Sequence, residues 1–362
     1  MCCTHSISGI LHDGYSINNN QWITSSGNRS DTSHSNGCTR APGAYPGLEA
    51  EAHDQYDLRS FIVGEEMSFE IGSVLGGVIE NERDRSVYYV LDDDLVDGDL
   101  SPYSGAASPF TAWQAMSGAV TVSGISQSYV TEAVKASGIG RLTPLPREYF
   151  TVSDDRKISI PRGRHTGTVT VTADPEALLA DPNMSHDPYY AIGFRLTSAD
   201  ADTVLIAKSY QVVAVRYENM LFGHYYHGGK MHTVNAAGQI TATKVYPTTI
   251  PSQEGTHAVY TLTTVAPDAV ETDYIGNGTK QGSLRLTLDG DKVTVSSSSI
   301  SVEDLGSGYN RARLLQDRKI FLHYRYPNGD GTSTEVIDTL TFRNRMHDGV
   351  NEWQDSDPAH YD

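Results

Sequence analysis

The sequence predicts an all-β protein of two consecutive antiparallel units, and three observations support this prediction. Apolar and polar residues alternate in several stretches, which is the period of a strand with one buried face. Glycine, at 33 residues, and Asn-Gly or Asp-Gly pairs separate these stretches, as is typical of turns between strands. Tyrosine is frequent, at 21 residues, and aromatic side chains favour strands.

Composition divides the 362 residues into four segments. Residues 1–56 are rich in Ser, Asn, Gly and Thr without a hydrophobic period, so we expect disorder because too little apolar surface can be buried. A change of pattern near residues 216–218 predicts a boundary between folded domains at 57–216 and 217–353. Residues 354–362 form a second polar tail.

Strands dominate the first domain. In "TGTVTVTAD", Val169 and Val171 face the same side, and the stretch 204–215 is apolar enough for a strand buried on both faces. Two helices are predicted. One covers 126–138, where apolar residues recur at helical spacing before Gly138, and the other covers 174–182, between two prolines. The first domain is therefore expected to be a β domain with a helical insertion.

The second domain contains two hairpin patterns. In residues 283–298 the leucines of "SLRLTL" share a face, and the chain turns at Asp289-Gly290-Asp291. In residues 319–342 the chain turns at 328–331 after a strand whose inward residues alternate, namely Ile320, Leu322, Tyr324 and Tyr326. The spacing of strands and turns suits an up-and-down barrel or a sandwich.

The charge of the chain argues against nucleic-acid binding. At pH 7 the formal net charge is −18, and an acidic chain without a basic stripe repels a phosphate backbone. The three cysteines lie within the first forty residues, so neither core is expected to hold a disulfide. The sequence shows no apolar run that matches a membrane helix, and no signal peptide is visible at the given N-terminus.

A stretch rich in histidine and tyrosine, "ENMLFGHYYHGGKMH", covers residues 218–232. Residues three apart on a strand point to opposite faces, so His224 and His227 do not form a metal site there, and the glycines argue against a helix. No metal or other cofactor is predicted. Of Tyr225 and Tyr226, one is expected to face the core and the other to face solvent.

Catalytic patterns are weak. The chain has no Gly-x-Ser-x-Gly motif, no glycine-rich phosphate loop before a helix, and no EF-hand pattern in the acidic stretch 92–99. Near the C-terminus, Arg345 and Asp348 are close in sequence, and we expect them to form a buried structural ion pair that fixes the last strand.

The order of motifs resembles a family of Bacteroidetes surface lipoproteins. The stretch "SGIGRLTPLPREYFTVSDDRKISIPRGRHTGTVTVTAD" resembles the signature of a domain of unknown function found there. The matching residues are Leu145, Pro146, Tyr149, Ile160, Pro161 and Gly163. The stretches "LFGHYYHGGK" and "DTLTFRNRMHDGVNEWQ" resemble the domain that often follows it, so the resemblance covers residues 57–353.

The resemblance implies an immunoglobulin-like sandwich with a short helical insertion, followed by an antiparallel, lipocalin-like or calycin-like β-barrel. It also implies a lipid-anchored protein at the outer membrane, near glycan-uptake machinery. The family has no established catalytic residues to carry over. Family members begin with an export signal that ends at a lipid-modified cysteine, and neither Cys2, Cys3 nor Cys38 follows such a signal here.

The leading functional prediction is therefore a non-catalytic, adhesin-like or glycan-binding surface lipoprotein. Its ligand is a polysaccharide or oligosaccharide, its partners are outer-membrane glycan-transport proteins, and a shallow groove exposes aromatic rings to the sugar. The candidate contacts are Tyr225, Tyr226, His227, Tyr324, Tyr326 and Trp353. Two alternatives stay open: a structural or protein-binding spacer, and a glycoside hydrolase whose site the sequence does not reveal.

Overall fold

The structure is a computed structural model. It describes residues 22–24, 56–65, 67–76, 78–97, 142–201, 203–204, 210–246, 258–277, 280–312, 317–347 and 350–353. The chain divides into two compact units. The first comprises Met1–Phe61 and Glu66–Arg216, and the second comprises Ile62–Glu65 and Tyr217–Asp362. Each unit has its own hydrophobic core.

Five strands form one sheet of the first unit, in the order β10-β1-β3-β8-β6. They are β1 (Trp22–Thr24), β3 (Ser68–Gly76), β6 (Phe150–Val152), β8 (Thr166–Ala173) and β10 (Thr203–Val204). Strand β1 runs parallel to β3, and its Ile23 lies opposite Leu75. The predicted disorder of residues 1–56 is therefore wrong for these three residues, because a short apolar "WIT" stretch suffices to pair with an existing strand.

Six strands form the other sheet of this unit, in the order β2-β11-β9-β4-β7, with β5 pairing with β9. They are β2 (Tyr56–Val63), β4 (Arg85–Leu91), β5 (Thr143–Pro144), β7 (Lys157–Ile160), β9 (Tyr190–Ala199) and β11 (Tyr210–Asn219). The stretch predicted as one strand over 204–215 instead contributes β10 to one sheet and β11 to the other. Every residue of β11 is buried, as the apolar run predicted.

The two sheets of the first unit pack face to face through apolar side chains. In β8 the residues Val169 and Val171 are buried, as their alternation predicted, and β7 contacts β3 and β8 across the layers. The rings of Phe61 and Phe69, one from each sheet, have centroids 5.2 Å apart. Burial of these faces supplies the main stabilising term of the sandwich.

Helices are short in the described ranges. Helix α1 spans Asp94–Asp97 and helix α2 spans Pro175–Ala180. The side chain of Asp174 caps α2 by accepting hydrogen bonds from two backbone N–H groups of its first turn, which confirms the predicted helix over 174–182. The helix predicted over 126–138 lies outside the described residues. None of the described helices has the length and apolar character that crossing a membrane requires.

The second unit is a closed antiparallel β-barrel of eight strands, in the order β12-β14-β15-β16-β17-β19-β20-β21 and back to β12. These strands are β12 (Gly223–Val234), β14 (Ala258–Ala266), β15 (Ala269–Ile275), β16 (Lys280–Asp289), β17 (Lys292–Ser296), β19 (Ser307–Tyr309), β20 (Lys319–Pro327) and β21 (Ser333–His347). Three further strands pair outside this ring: β13 (Ile240–Tyr246), β18 (Glu303–Asp304) and β22 (Val350–Trp353). The all-β prediction is confirmed, and the barrel alternative holds for this unit.

The inward-facing side chains of the alternating strands fill the barrel interior. Both predicted hairpins are present, because β16 turns into β17 at Gly290 and β20 turns into β21 at residues 328–332. The side chains of Ile320, Leu322, Tyr324 and Tyr326 all point inward and are buried, as predicted. They join an apolar cluster that includes Leu262, Val270, Leu284, Leu286, Val293, Leu340 and Phe342. Side chains, rather than a large empty cavity, thus occupy the described core.

Candidate functional site on the barrel wall

Strand β12 carries the histidine- and tyrosine-rich stretch and closes the barrel. It pairs with β21 along its whole length, with β14 over its first half and with β13 over its second half. Its side chains alternate: Tyr225 and His227 are buried, whereas His224 and Tyr226 are partly exposed. The prediction that His224 and His227 lie on opposite faces is therefore correct, and the two tyrosines divide between core and surface as expected.

Tyr225 is a core residue. It is 1% exposed, its hydroxyl donates a hydrogen bond of 3.0 Å to the carbonyl of Leu221, and its ring meets the edge of Phe342 at 5.8 Å. Burial raises the pKa of its phenol well above the usual range. A satisfied hydroxyl and a packed ring leave no surface of Tyr225 for a sugar.

His227 is buried and lies in a stack of four rings that runs from β13 to β15. Its ring is nearly parallel to that of Tyr260, with centroids 4.1 Å apart, and Tyr246 stacks on its other side at 4.8 Å. Tyr260 in turn stacks on Tyr274 at 4.6 Å. The rings come from four different strands, so the stack ties together β13, β12, β14 and β15.

A buried carboxylate lies beside this stack. The hydroxyl of Tyr246 donates a hydrogen bond to Oδ1 of Asp338, and Nε2 of His227 lies 3.0 Å from Oδ2. The side chain of Asp338 is fully buried, with Tyr246 and His227 as close polar neighbours. Burial, and then the charge of Asp338, raise the pKa of Tyr246 far above the usual range, and its phenol stays neutral at any physiological pH.

Gly229 permits this arrangement. It lies opposite Asp338 on β21 and opposite Tyr246 on β13. Its φ is +148°, and a Cβ at this position would lie 2.3 Å from the carbonyl oxygen of Ile337 and 2.8 Å from the Cα of Asp338. Any side chain at 229 would therefore push β21 away from β12 where the barrel closes.

The inward tyrosines of β20 belong to the same interior. Tyr324 is fully buried and its hydroxyl accepts a hydrogen bond of 2.7 Å from the backbone N–H of Gly276. Burial, followed by the charge of Asp338, raises its pKa. Tyr326 is 4% exposed. Both residues pack in the core cluster of the barrel.

These positions correct the prediction of an exposed aromatic groove. The structure places Tyr225, His227, Tyr324 and Tyr326 inside the barrel, because the inward face of each strand is the face that the apolar cluster occupies. The side chain of Trp353 lies outside the described residues. Only Tyr226 among the described candidates reaches the surface.

Of the predicted ion pair of Arg345 and Asp348, the structure describes only the arginine. Arg345 is buried, but Asp348 lies outside the described residues, so their ion pair stays a prediction. Across the ranges that the structure describes, no three His, Cys, Asp or Glu side chains come together as a metal site.

The outward residues of β12, β21 and β20 form a surface that we call the outer wall. Strand registers place Tyr226 beside Thr341, and Thr341 beside Lys319. One step along the strands, Gly228 lies beside Thr339, and Thr339 lies beside Phe321. Gly228 offers no side chain, so this second row presents the side chains of Thr339 and Phe321.

Phe321 is an exposed aromatic residue that sequence analysis missed, as are Tyr274 on β15 and Tyr88 on β4. Phe321 is 45% exposed, although a phenylalanine is usually buried. The signal was present, because Phe321 alternates with the inward series Ile320, Leu322 and Tyr324. From strand spacing and rise, the Cα atoms of Tyr226 and Phe321 are about 12 Å apart, a span that suits two ring contacts along one oligosaccharide.

The guanidinium of Arg343 flanks Tyr226 on the outer wall. The guanidinium of Arg343 lies 5.9 Å from the centroid of the Tyr226 ring, and its Nη1 donates a hydrogen bond of 2.8 Å to Oδ1 of Asn344. This contact places a cation beside the Tyr226 ring. Nδ1 of His224 lies 3.0 Å from the hydroxyl of Thr261 on the adjacent strand.

The far end of the outer wall carries a salt-bridge network. Glu335 lies 2.9 Å from Nε2 of His323 and 3.0 Å from the guanidinium of Arg325, while Glu303 lies 3.7 Å from Arg325. The hydrogen bond with His323, and then that with Arg325, lower the pKa of Glu335. This end of the wall therefore satisfies its own charges.

The first unit has an open groove of about 550 Å³. It is lined by Leu91, Arg147, Phe150, Thr151, Val152, Ser153, Asp154 and Asp155. Phe150, the aromatic residue in this set, is buried, and Arg147 is already paired with Asp93 at 2.5 Å. The groove thus lacks the exposed ring face that the outer wall offers.

No protein-family model matches the chain, and no curated protein matches it. Several solved structures resemble it. A Bacteroides ovatus protein of unknown function is 17% identical, with a TM-score of 0.51, over 83% of this chain and 96% of that one. A multidomain protein including DUF1735 from the same species is 9% identical, with a TM-score of 0.35, over 88% and 97%.

An auxiliary nutrient binding protein from Bacteroides thetaiotaomicron VPI-5482 is 12% identical, with a TM-score of 0.35, over 80% of this chain and 90% of that one. At these identities a structural likeness shows the fold alone. The chain is thus similar in fold, over 83% of its length, to the first of these Bacteroides proteins.

Proposed function

We propose that the chain is a non-catalytic saccharide-binding protein of the cell surface, and that the outer wall is its binding surface. The observation that carries the proposal is the pair of outward rings, Tyr226 and Phe321, on one continuous part of the barrel. The apolar face of a pyranose ring packs on such rings, and neighbouring polar groups bind its hydroxyls.

Neighbouring side chains on the wall supply that polar partner set. Thr341, beside Tyr226, is 4% exposed and packs within the wall. Thr339 lies between the two rings on β21, and Lys230 lies one step beyond it. Thr339 and Lys230 can each donate a hydrogen bond to a sugar hydroxyl. The strands hold the rings in place, so little conformational entropy is lost when the ligand binds.

A binding experiment on the full chain tests the proposal. Wild-type protein is screened on a glycan array and by affinity electrophoresis, and Tyr226→Ala, Phe321→Ala and the double variant are compared. We expect the double variant to lose at least tenfold in affinity, about 1.4 kcal/mol. Tyr88→Ala is a matched control, because Tyr88 is 45% exposed in β4 of the first unit.

Two results would contradict the proposal: wild-type protein that binds no saccharide, or a double variant that binds as well as wild type. The first result would favour the spacer alternative. Release of reducing ends from a bound glycan would instead favour the hydrolase alternative. Co-purification with outer-membrane glycan-transport proteins tests the predicted partnership, and cell fractionation tests the lipid anchor and surface location.

A further inference from the structure

Strand β6 forms one edge of its sheet in the first unit. It is the last strand in the order β10-β1-β3-β8-β6, and β8 is its partner strand among the described residues. An edge strand presents main-chain N–H and C=O groups that no neighbouring strand occupies. Such groups are a template on which another extended chain can pair.

Hydrogen bonds to β8 establish which groups of β6 point outward. The N–H of Ser153 donates a hydrogen bond of 2.9 Å to the carbonyl of Thr170, and the carbonyl of Tyr149 accepts one of 2.8 Å from the residue that follows β8. In an antiparallel pair, alternate residues direct both main-chain groups to the partner strand. The N–H and C=O groups of Phe150 and Val152 therefore point away from β8.

Strand β6 lines the open groove of about 550 Å³ with all three of its residues, and residues 153–155 continue this lining. Leu91, at the end of β4 in the other sheet, and Val152 are apolar lining residues that are partly exposed. The volume lies within the range of about 300–1,000 Å³ that is typical of binding pockets. The groove therefore has room for several residues of an extended peptide beside the outward edge of β6.

The charged side chains of the groove already have partners. Nη2 of Arg147 lies 2.5 Å from Oδ1 of Asp93, and Nε of Arg156 lies 3.7 Å from Oδ1 of Asp155. Oδ1 of Asp154 accepts a hydrogen bond of 3.1 Å from the backbone N–H of Arg156. A small charged ligand would have to displace these contacts, whereas a peptide strand can pair with the outward main-chain groups of β6 and leave them in place.

We propose that the groove along β6 binds an extended peptide segment of another protein, which adds to the sheet as a further strand. The N–H and C=O groups of Phe150 and Val152 pair with the main chain of the segment. Every second side chain of the segment then lies against Leu91 and Val152. This activity is separate from saccharide binding and resides in the first unit.

The size and charge of the site favour a short segment over a second copy of this chain. A stable interface between two folded proteins buries about 1,200–2,000 Å² of surface. An edge strand of three residues offers much less than that area. Two copies that each carry a formal net charge of −18 also repel one another. The expected partner is therefore a neutral or basic segment that binds transiently.

A random library of linear heptapeptides, screened against the full chain, supplies the probe. The tightest peptide is synthesised together with two forms that are N-methylated on alternate residues. N-methylation removes main-chain donors, so the form methylated on the residues that face β6 should bind at least tenfold more weakly. The other form should bind like the parent peptide, and equal effects of both would contradict pairing as a strand.

Hydrogen exchange measured by NMR locates the bound peptide. The amide protons of Phe150 and Val152 should exchange at least tenfold more slowly with saturating peptide, whereas that of Ser153, which is already bonded to β8, should change little. Protection of Phe150 and Val152 in the free protein would show that the edge is already covered and would overturn the inference. Protection on β13 instead of β6 would overturn it as well.

A proline on the edge tests the same groups from the side of the protein. Val152→Pro removes one outward N–H and keeps the hydrogen bonds to β8, since edge strands tolerate proline where the N–H faces away from the sheet. It should bind the peptide at least tenfold more weakly. Thr151→Ala is the matched control, because it changes an exposed side chain of β6 and no main-chain donor.

Melting temperatures show whether both variants fold. A folded Val152→Pro variant that binds the peptide as tightly as wild type contradicts the inference, and the N-methylated peptides and hydrogen exchange decide the question if that variant does not fold.

The outcomes separate this inference from the proposed function. Selection of no peptide overturns peptide binding and leaves saccharide binding intact. The double variant Tyr226→Ala and Phe321→Ala should bind the peptide as tightly as wild type. If sedimentation shows a dimer of the chain in which the amides of Phe150 and Val152 are protected without peptide, the occupant is a second copy and the inference is wrong.

Discussion

Tyr225 and Tyr226 are adjacent in the chain but differ in every structural respect. Tyr225 points into the barrel, where its hydroxyl and ring are both in contact with the core. Tyr226 points out, with the guanidinium of Arg343 near its ring. The same division continues on β20, where Tyr324 is buried and Phe321 is exposed. Residue type alone therefore does not distinguish core from binding surface. What distinguishes them is whether the position on the strand faces inward or outward.

The inner and outer faces of the barrel also differ in how their carboxylates are surrounded. Inside, Asp338 is surrounded by rings and has two close polar neighbours. Outside, Glu335 contacts His323 and Arg325 where water can reach them. Because solvent screens the outer pair and not the inner one, the two carboxylates are expected to contribute very differently to stability.

The largest difference is expected between the adjacent tyrosines. Tyr225→Ala removes a fully packed ring and should lower the free energy of unfolding by about 3–5 kcal/mol. Tyr226→Ala removes an outward ring and should lower it by less than about 1 kcal/mol. Urea denaturation of both variants measures this contrast, and equal losses would show that the inward and outward assignment is wrong.

The inner carboxylate is expected to matter next. Asp338→Asn keeps the shape but removes the charge that accepts the hydrogen bond of Tyr246, which should cost about 1.5–3 kcal/mol. Glu335→Gln on the outer wall is the matched control, with an expected cost below about 1 kcal/mol. An Asp338→Asn variant as stable as wild type would mean that the interior does not need the charge.

High pH is expected to destabilise the barrel through its buried tyrosines. Burial raises the pKa values of Tyr225, Tyr246 and Tyr324 in the folded state, whereas unfolded tyrosine ionises near pH 10. Their stabilising effect is therefore complete below about pH 10 and falls above it by about 1.4 kcal/mol per pH unit for each tyrosine.

Tyrosinate absorbance and circular dichroism, followed together during alkaline titration, measure this effect. The absorbance of the buried tyrosines should rise together with unfolding, and the slope of stability against pH should be smaller in Tyr324→Phe. Full ionisation of all 21 tyrosines near pH 10 with the fold intact would contradict the burial of these rings.

The smallest effect is expected at Glu335. The hydrogen bond with His323 and the contact with Arg325 lower its folded-state pKa, so its contribution is present above the unfolded value near pH 4.3. As the pH falls through the lower folded-state pKa, this contribution, roughly 0.5 kcal/mol or less, is lost. The difference in melting temperature between wild type and Glu335→Gln should shrink at acid pH; a constant difference would argue against the ion pair.

Local pattern in the sequence predicted much of this fold. The alternation of apolar and polar residues predicted both hairpins, the inward residues of β20 and the opposite faces of His224 and His227. Alternation along a strand can be read from neighbouring residues alone. The choice between barrel and sandwich is not a local property, since it depends on whether β12 and β21, which are far apart in the chain, pair with each other. The split of 204–215 between two sheets also depends on distant partners.

The candidate site was harder to predict for a related reason. Tyr225 and Tyr226 are identical residues, so neither composition nor periodicity says which one faces inward. The tyrosines of β20 alternate onto the inward face, and the filled core there prevents the exposure that a ligand contact requires. Phe321 was missed because a phenylalanine between apolar neighbours suggests a core residue.

The pairing of β12 with β21 has an evolutionary consequence. Substitutions at the exposed outward positions of these strands should leave the ring of strands closed, provided that the inward residues and Gly229 are kept. Related proteins could thus acquire new ligands by drift at Tyr226, Lys230, Arg343 and Phe321 without any new fold. A combinatorial library randomised at those outward positions alone would explore such repertoires on an unaltered scaffold.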